Sequence, residues 1–375
     1  MAASDNSRIK VLELCLSPHQ GGLELYVADI SQRLSSVMDV CCVVGKDSKI
    51  APLMQPLAVI TLPKLSHYMP LFAAKKLASL MDEREIDVVH MHWNHDLTLA
   101  VLAKLFSHRK LKLILTRHMK FPSRKNSFFH RFLYRNIDHI MAITQTMAFD
   151  LKRFIPDDVR PNISVNYLGI EPLPDVDRAL IQQRRKGYDP EGNQFLIALV
   201  GRIAFEKGHE FLLEALKIAK GQGLPFKALV VGHPMQESYL TSLKQKVNDA
   251  GLQEHMIFTG FVDEPRCVMQ ACDVLVLPTI EETFGLVLIE AMSVGLPVIG
   301  SNRGGVPEII NHEETGLLFE SCDSQSLFDA LYQIYSKPDV AKQYAAKAKA
   351  SAHTQFHMDR HMQQLVACLE EVGHG

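Results

Sequence analysis

The chain has 375 residues, 47% of them hydrophobic and 22% charged, which is room for two ordinary domains with real cores and excludes a disordered or fibrous protein. A formal net charge of -2 excludes a chain that is basic throughout, although the charge is unevenly spread. Seven cysteines, odd in number and without a C-x-x-C pair, fit a reduced cytosolic setting better than a disulfide framework.

The first residues, Met1 to Arg8, lack the apolar core of a signal peptide. No stretch approaches the roughly 18 to 20 apolar residues of a membrane span. If membranes matter, the protein is expected to lie on them.

Ile9 to Leu16 reads as a first strand, running through Ser17-Pro-His-Gln-Gly21-Gly22 into an amphipathic helix, Leu25 to Leu34. The paired glycines serve equally well to close a tight turn or to let the backbone approach a phosphate at a helix start. Strand-like runs follow at 40–44, 58–62, 87–91, 111–115, 139–143 and 163–167, with helical stretches such as 72–81 and 97–105 between several of them. Such alternation predicts a parallel sheet covered by helices. Proline, glycine and charge from 171 to 194 mark a linker, with a charged helical piece from Arg178 to Lys186. Asp175-Val-Asp177 within it has the form of a metal-binding D-x-D, but its place among prolines outside any strand makes that a coincidence. A second alternation follows at 195–200, 227–231, 256–259, 273–277, 297–300 and 317–319, then a helical tail from 340 to 372. The expected architecture is α/β with two doubly wound domains, 1–170 and 195–353.

Three strand ends in the second domain are candidates, two of them for the charged groups they hold. The first runs Gly201-Arg202-Ile-Ala-Phe-Glu-Lys207-Gly208, and ligands bind at the carboxyl ends of such strands. Two fixed cations there could neutralise the charge that develops on a departing diphosphate, with Arg202 forked and Lys207 a point charge; solvated loop charges are the bland alternative. At the second, strand 273–277 passes through Pro278 and Glu282 into an apolar helix from Phe284, in whose middle stands Glu290. A carboxylate there needs partners, either a core salt bridge or a ligand. Gly285 and Leu286 offer free N-H groups at the helix start, where the dipole favours an anion. At about 1.5 Å per helical residue the two acids stand on the order of 10 Å apart, roughly the reach of a nucleoside diphosphate sugar. The third strand end is Phe261-Val262-Asp263.

Glu282-x7-Glu290, Phe284-Gly285 after the first acid, and the tail Gly295-Leu-Pro-Val298 together resemble the signature of retaining GT-B glycosyltransferases of family four, the glycosyl transferases group 1 domain. G-R-x4-K-G at 201–208 matches that family's donor diphosphate motif. The resemblance implies two Rossmann-like domains facing a cleft, with the last helix, about 354–375, packing back on the first. It implies a nucleotide-diphosphate sugar as donor, UDP or GDP, with no cofactor and no metal. Gly22, Gly201, Arg202, Lys207, Phe284, Gly285 and Leu286 would surround the donor, Val262 would meet the base, Glu282 the sugar and Glu290 the ribose. Ser301 to Glu308 is another strand-end loop of the family, expected to be structural. A sugar-nucleotide epimerase or phosphorylase is the alternative within the same fold. A dinucleotide oxidoreductase would need G-x-G-x-x-G after the first strand, and Pro18-His-Gln-Gly-Gly-Leu-Glu24 lacks it.

In the first domain Thr116-Arg117-His118 follows strand 111–115. It aligns with the family's histidine whose backbone carbonyl faces the donor sugar near the reacting carbon. His90 and His92 share a strand face, but no acid or cysteine at suitable spacing completes a metal set. His92, Asn94 and Arg117 are therefore expected to line an acceptor site, with structural histidines as the alternative.

From Leu97 to Ile137 there is no Asp or Glu, while ten Lys and Arg fall between Lys104 and Arg135, the later ones interleaved with Phe121, Phe128, Phe129, Phe132 and Tyr134. A face of this kind suits an anionic membrane or a phosphorylated glycolipid acceptor. Nucleic acid is not expected, since no recognition motif accompanies the charge. The combined expectation is a retaining, metal-independent transferase in bacterial cell-envelope polysaccharide or lipopolysaccharide assembly. It would be cytoplasmic, or peripheral on the cytoplasmic face of the inner membrane.

Overall fold

A computed structural model describes residues 8–19, 21–62, 71–121, 123–171, 177–262 and 265–375. Asp175 and Asp263 fall outside them. The chain divides into two compact units: unit 1 comprises Met1–Tyr167 and Asp359–Gly375, unit 2 Leu168–Met358.

Unit 1 opens with β1 (Lys10–Cys15), α1 (Gly22–Leu34), β2 (Asp39–Gly45), β3 (Ala58–Leu62) and α2 (Leu71–Glu83). It continues with β4 (Val88–Met91), α3 (Leu97–Phe106), β5 (Lys112–Arg117), α4 (Phe128–Arg135), β6 (His139–Ala142), α5 (Gln145–Phe154) and β7 (Asn162–Val165). Its seven strands are all parallel, in the order β3-β2-β1-β4-β5-β6-β7. Helices cover both faces of such a sheet, which is why β1, β2 and β4 read as almost unbroken apolar runs rather than alternating ones.

Unit 2 carries α6 (Arg178–Tyr188), β8 (Phe195–Val200), α7 (His209–Gly221), β9 (Phe226–Val231), α8 (Glu237–Asp249), β10 (Met256–Gly260) and α9 (Pro265–Gln270). After these come β11 (Val274–Leu277), α10 (Leu286–Ser293), β12 (Val298–Ser301), β13 (Leu317–Phe319), α11 (Ser324–Ser336) and α12 (Pro338–Thr354). The sheet order is β10-β9-β8-β11-β12-β13, again parallel throughout. Its core is packed from Leu199, Leu212, Leu216, Phe226, Val230, Val276 and Phe319 among others.

The segment expected as a linker contains α6, and α6 is anchored to unit 2. Arg185 grips Asp273, at the foot of β11, through two parallel bonds of 3.0 Å, and Lys227 Nζ donates to the Tyr188 carbonyl at 2.7 Å. The last helix, α13 (Met358–His374), belongs almost wholly to unit 1. A Cβ on its Gly373 would come within 2.9 Å of the Ile9 side chain, so a larger residue there would have to displace Ile9 where α13 packs beside the start of β1.

In each sheet the strand order reverses direction once, between β1 and β4 and between β8 and β11. Loops diverge at such a point and leave a crevice at the carboxyl ends of the strands. The chemistry-bearing residues of both units gather there.

Candidate active site

In unit 2 an ion pair joins the loops after β8 and β11. Lys207 Nζ lies 2.7 Å from Glu282 Oε2, both side chains being largely buried. The other carboxylate oxygen of Glu282 accepts from the Thr283 N-H at 3.2 Å.

Backbone packing fixes this pair more than side-chain packing does. Gly208 has φ 72°, and a Cβ on it would stand 1.8 Å from the Pro278 carbonyl oxygen; Gly304 has φ 63°, and a Cβ there would stand 2.0 Å from the carbonyl oxygen of Glu282 itself. The Gly305 N-H donates to that same Glu282 oxygen at 2.8 Å, and the Ile280 N-H donates to the Glu206 carbonyl at 3.0 Å. The loop 301–308 is thus the seat of Glu282.

Arg202 is exposed, with no partner among the described residues. Gly201, just before it, has φ 149° and open space where a Cβ would be. Gly285 caps α10 with φ 107°, leaving Leu286 as its first residue. Phe284 is buried, its ring 6.1 Å from that of Phe356. Val262, half-buried, follows β10. Glu290 lies one turn into α10, half-buried, and among the described residues its carboxylate has no hydrogen bond or ion pair. Burial raises its pKa, opposed only by the charge of Arg266. The salt bridge that would make Glu290 structural is therefore not formed with any described residue.

In unit 1 the turn after β1 starts α1 through one half of a capping box, since Gly21 at the cap has no side chain to supply the other. The Gly21 N-H donates to Glu24 Oε2 at 2.8 Å, while Glu24 Oε1 accepts from Ser17 Oγ. A Cβ on Gly22 would meet nothing within 4 Å, so the backbone there is open to a ligand. Glu24, three residues after the cap, is the sequence signal for this box.

The expected acceptor residues are placed differently from one another. His92 is buried, with Nε2 2.7 Å from Glu13 Oε2 and Nδ1 3.4 Å from His118 Nε2, so both ring nitrogens are spent inside the fold. Arg117 is buried too; its guanidinium lies 5.1 Å over the Phe121 ring, Nη2 donates to the Lys120 carbonyl, and burial draws its pKa down to about 10. Neither lines a surface as expected, because each is absorbed by a buried neighbour. Asn94 is half-buried in the turn after β4, beside Trp93, whose ring lies 4.5 Å from that of His95. His118 is 8% exposed, its ring 4.8 Å from the Tyr26 ring, and burial holds its pKa well below the usual range.

Glu13 is the functional candidate that sequence reading passed over. It is an acid inside the apolar run of β1, in register with His90 of β4, and its Oε1 lies 3.0 Å from His90 Nδ1. Burial alone would raise its carboxyl, but the two facing histidines outweigh that and hold it at about 2. One ligand atom each of Glu13, His90 and His92 lies within 4.8 Å of the others, so the set could hold a metal in principle. Each carboxylate oxygen already meets a ring nitrogen at hydrogen-bond length, which is the geometry of a satisfied polar core.

The basic stretch is less basic in three dimensions than in sequence. Lys104 and Lys112 face Asp138, Arg109 pairs with Asp87 and Arg131 with Asp158. Phe121 and Tyr134 are core residues, whereas Phe128 is 90% and Phe129 52% exposed. No helix among the described residues is long and apolar enough to cross a membrane.

Two family models match the chain: Glycosyl transferases group 1 over residues 181–351, and Glycosyltransferase Family 4 over residues 20–172. The chain belongs to the GT-B glycosyltransferases of family four. It is 25% identical over 302 residues to N-acetyl-alpha-D-glucosaminyl L-malate synthase of Bacillus anthracis, covering 78% of this chain and 76% of that one. It is also 25% identical over 360 residues to the lipopolysaccharide core biosynthesis mannosyltransferase LpsB of Rhizobium meliloti, covering 93% and 98%. Among solved structures, Anabaena HepE in complex with UDP superposes with a TM-score of 0.85 at 22% identity, over 97% of this chain and 100% of that one. A glycosyltransferase from Rickettsia africae gives 0.86 at 20% identity, over 98% and 99%.

Proposed function

We propose that this transferase moves a sugar from a nucleoside diphosphate donor to a hydroxyl of a glycolipid or cell-envelope glycan precursor, with retention of anomeric configuration and without a metal. The observation that carries the reading is the Lys207–Glu282 pair at the switch point of unit 2, flanked by an unpaired arginine and an open helix start.

Arg202, Lys207 and the N-H groups of Gly285 and Leu286 would hold the leaving diphosphate, where fixed cations and aligned dipoles stabilise developing charge without reorganising. Lys207 would turn from Glu282 to a phosphate oxygen, releasing the carboxylate to orient sugar hydroxyls. Glu290, desolvated and unpaired, suits a ribose diol, to which it can offer two acceptors. The acceptor hydroxyl attacks from the leaving-group face and its proton passes to a phosphate oxygen. UDP or GDP is the expected nucleotide; HepE was solved with UDP, which supports the first.

Phe128 and Phe129, with the exposed Arg124 and Arg135, would rest the protein on an anionic membrane at its cytoplasmic face. F128S/F129S should abolish co-sedimentation with vesicles containing anionic lipid and leave donor hydrolysis unchanged; equal binding by the variant would remove this part of the reading.

Thermal stabilisation by a panel of nucleotides, followed by nucleotide-sugar hydrolysis, tests the whole. A nucleoside diphosphate should protect and NAD should not. Donor conversion that needs free phosphate, or that epimerises the sugar without an acceptor, would replace transfer by phosphorolysis or epimerisation.

A further inference from the structure

At its own switch point unit 1 buries a chain of polar side chains that the proposed mechanism leaves unused: Glu13 on β1, His90 and His92 at the end of β4, Thr116 and His118 at the end of β5. We propose that Glu13 is a positioning residue: through His92 it fixes the tautomer of His118, leaving His118 Nδ1 as a hydrogen-bond acceptor for a sugar hydroxyl. This rests on the sugar-transfer reading, which supplies the hydroxyl.

The assignment follows bond by bond. An ionised carboxylate is acceptor-only, so each ring nitrogen that faces Glu13 must carry a proton. His90 Nδ1, at 3.0 Å, donates to Oε1, and His92 Nε2, at 2.7 Å, donates to Oε2. Burial draws the His92 pKa down to about 4, so this imidazole is neutral and its Nδ1 bears the lone pair. The only described group facing that lone pair is His118 Nε2 at 3.4 Å, which must therefore donate. His118 is also held neutral by burial, so its remaining nitrogen, Nδ1, is a bare acceptor. Among the described residues nothing hydrogen-bonds to it.

The rings are also held in place. The Tyr26 ring packs edge-on against His118 at 4.8 Å and against His92 at 5.8 Å. Tyr26 is itself pinned: its hydroxyl donates to His361 Nε2 at 2.9 Å, because His361 Nδ1 donates to the Tyr167 carbonyl at 2.8 Å. His90 Nε2 lies 2.7 Å from Thr116 Oγ1, closing the other end of the cluster. The outcome at His118 is specific. It can receive a proton in a hydrogen bond from a hydroxyl on one side only, and on the other side it is fully committed to His92.

The test reads the protons directly. In the full-length, histidine-15N-labelled protein, long-range 1H–15N spectra should show His118 and His92 both protonated at Nε2 and bare at Nδ1, the resonances being assigned with H118Q and H92F. A His118 signal protonated at Nδ1, or averaged between tautomers, overturns the proposal. So does stoichiometric zinc in the purified protein, since a metal would replace the proton on His92 Nε2. In H92F the His118 signal should become a tautomer mixture, and kcat should fall about tenfold or more while KM for the nucleotide sugar stays within about twofold. An unchanged kcat would count against the relay even if the wild-type tautomers were as stated. Should H92F not fold, the wild-type spectrum still decides. Absence of any donor turnover by the wild type would sink the transfer reading instead, leaving the tautomer result standing.

Discussion

Lys207 Nζ and Glu282 Oε2, 75 residues apart in sequence, stand 2.7 Å from one another, joining the loop after β8 to the loop after β11. Each is the other's stand-in for a ligand group: the ammonium takes the place of sugar hydroxyls at Glu282, and the carboxylate takes the place of phosphate at Lys207. Replacing either by Ala should lower kcat/KM for sugar transfer by about 100-fold or more, the usual loss when a preorganised electrostatic group is removed. Circular dichroism should show the fold intact, because the backbone contacts of Gly208 and Gly304 hold both loops. Turnover near wild type in both K207A and E282A would remove the pair from the mechanism.

The seat of Glu282 gives a second expectation. In G304A the added methyl would sit 2.0 Å from the Glu282 carbonyl oxygen, at a φ of 63° that alanine itself resists. The loop must move, so stability should drop by about 2 kcal/mol or more and transfer should fall with it. A urea midpoint within error of wild type would show that loop 301–308 does not hold Glu282.

Much of this was legible in the sequence, for a physical reason. Strands buried on both faces must be apolar along their whole length, so β1, β8 and β11 stand out from their surroundings without any partner being known. Strand-end loops then follow by topology, and Arg202, Lys207, Glu282 and Glu290 stand in those loops or just beyond them. What was not legible depends on pairing across the sheet. Glu13 lies in an apolar strand and gains its meaning only from His90, in register on β4, and from His92 beyond it. Arg117 and His92 are expected from sequence to line an acceptor site because sequence cannot show that Phe121 and Glu13 absorb them. The basic run lost much of its charge to Asp87, Asp138 and Asp158, which lie outside it in sequence.

Glu290 should show opposite effects on stability and on binding. Its pKa is raised by burial, so in the free protein the ionised form is costly, and stability is lost as pH rises through that raised value. E290Q removes the cost and should melt at the wild-type temperature or higher, with the difference growing above the ordinary carboxylate range. The same change weakens the acceptors offered to a ribose, so nucleotide affinity should fall by about 10- to 100-fold. Calorimetric titration that finds nucleotide affinity unchanged in E290Q would take Glu290 out of the donor site.

The buried histidines set the acid limit of the fold. His92, His209 and His361 are each drawn by burial from 6.5 to about 4, and burial holds His118 well below its usual range too. Between those values the unfolded chain binds protons that the folded chain refuses, so the stability they contribute is complete above about pH 6.5 and is lost as pH falls toward 4. Asp96 acts against them. Burial raises its carboxyl to about 7, although Oδ2 accepts from the Leu16 N-H at 3.0 Å, so the folded chain takes up a proton there over the same range. Four histidines outweigh the two acids raised by burial, Asp96 and Glu290, and urea unfolding should show stability falling by a few kcal/mol from pH 7 to pH 5, at about 1.4 kcal/mol per unit of pKa shift. D96N keeps the acceptor for Leu16 and removes the opposing proton uptake, so its decline over that interval should be steeper than wild type. A wild-type curve that is flat or rising toward pH 5 would mean that these histidines are charged in the folded state, and the neutral network around Glu13 would have to be redrawn.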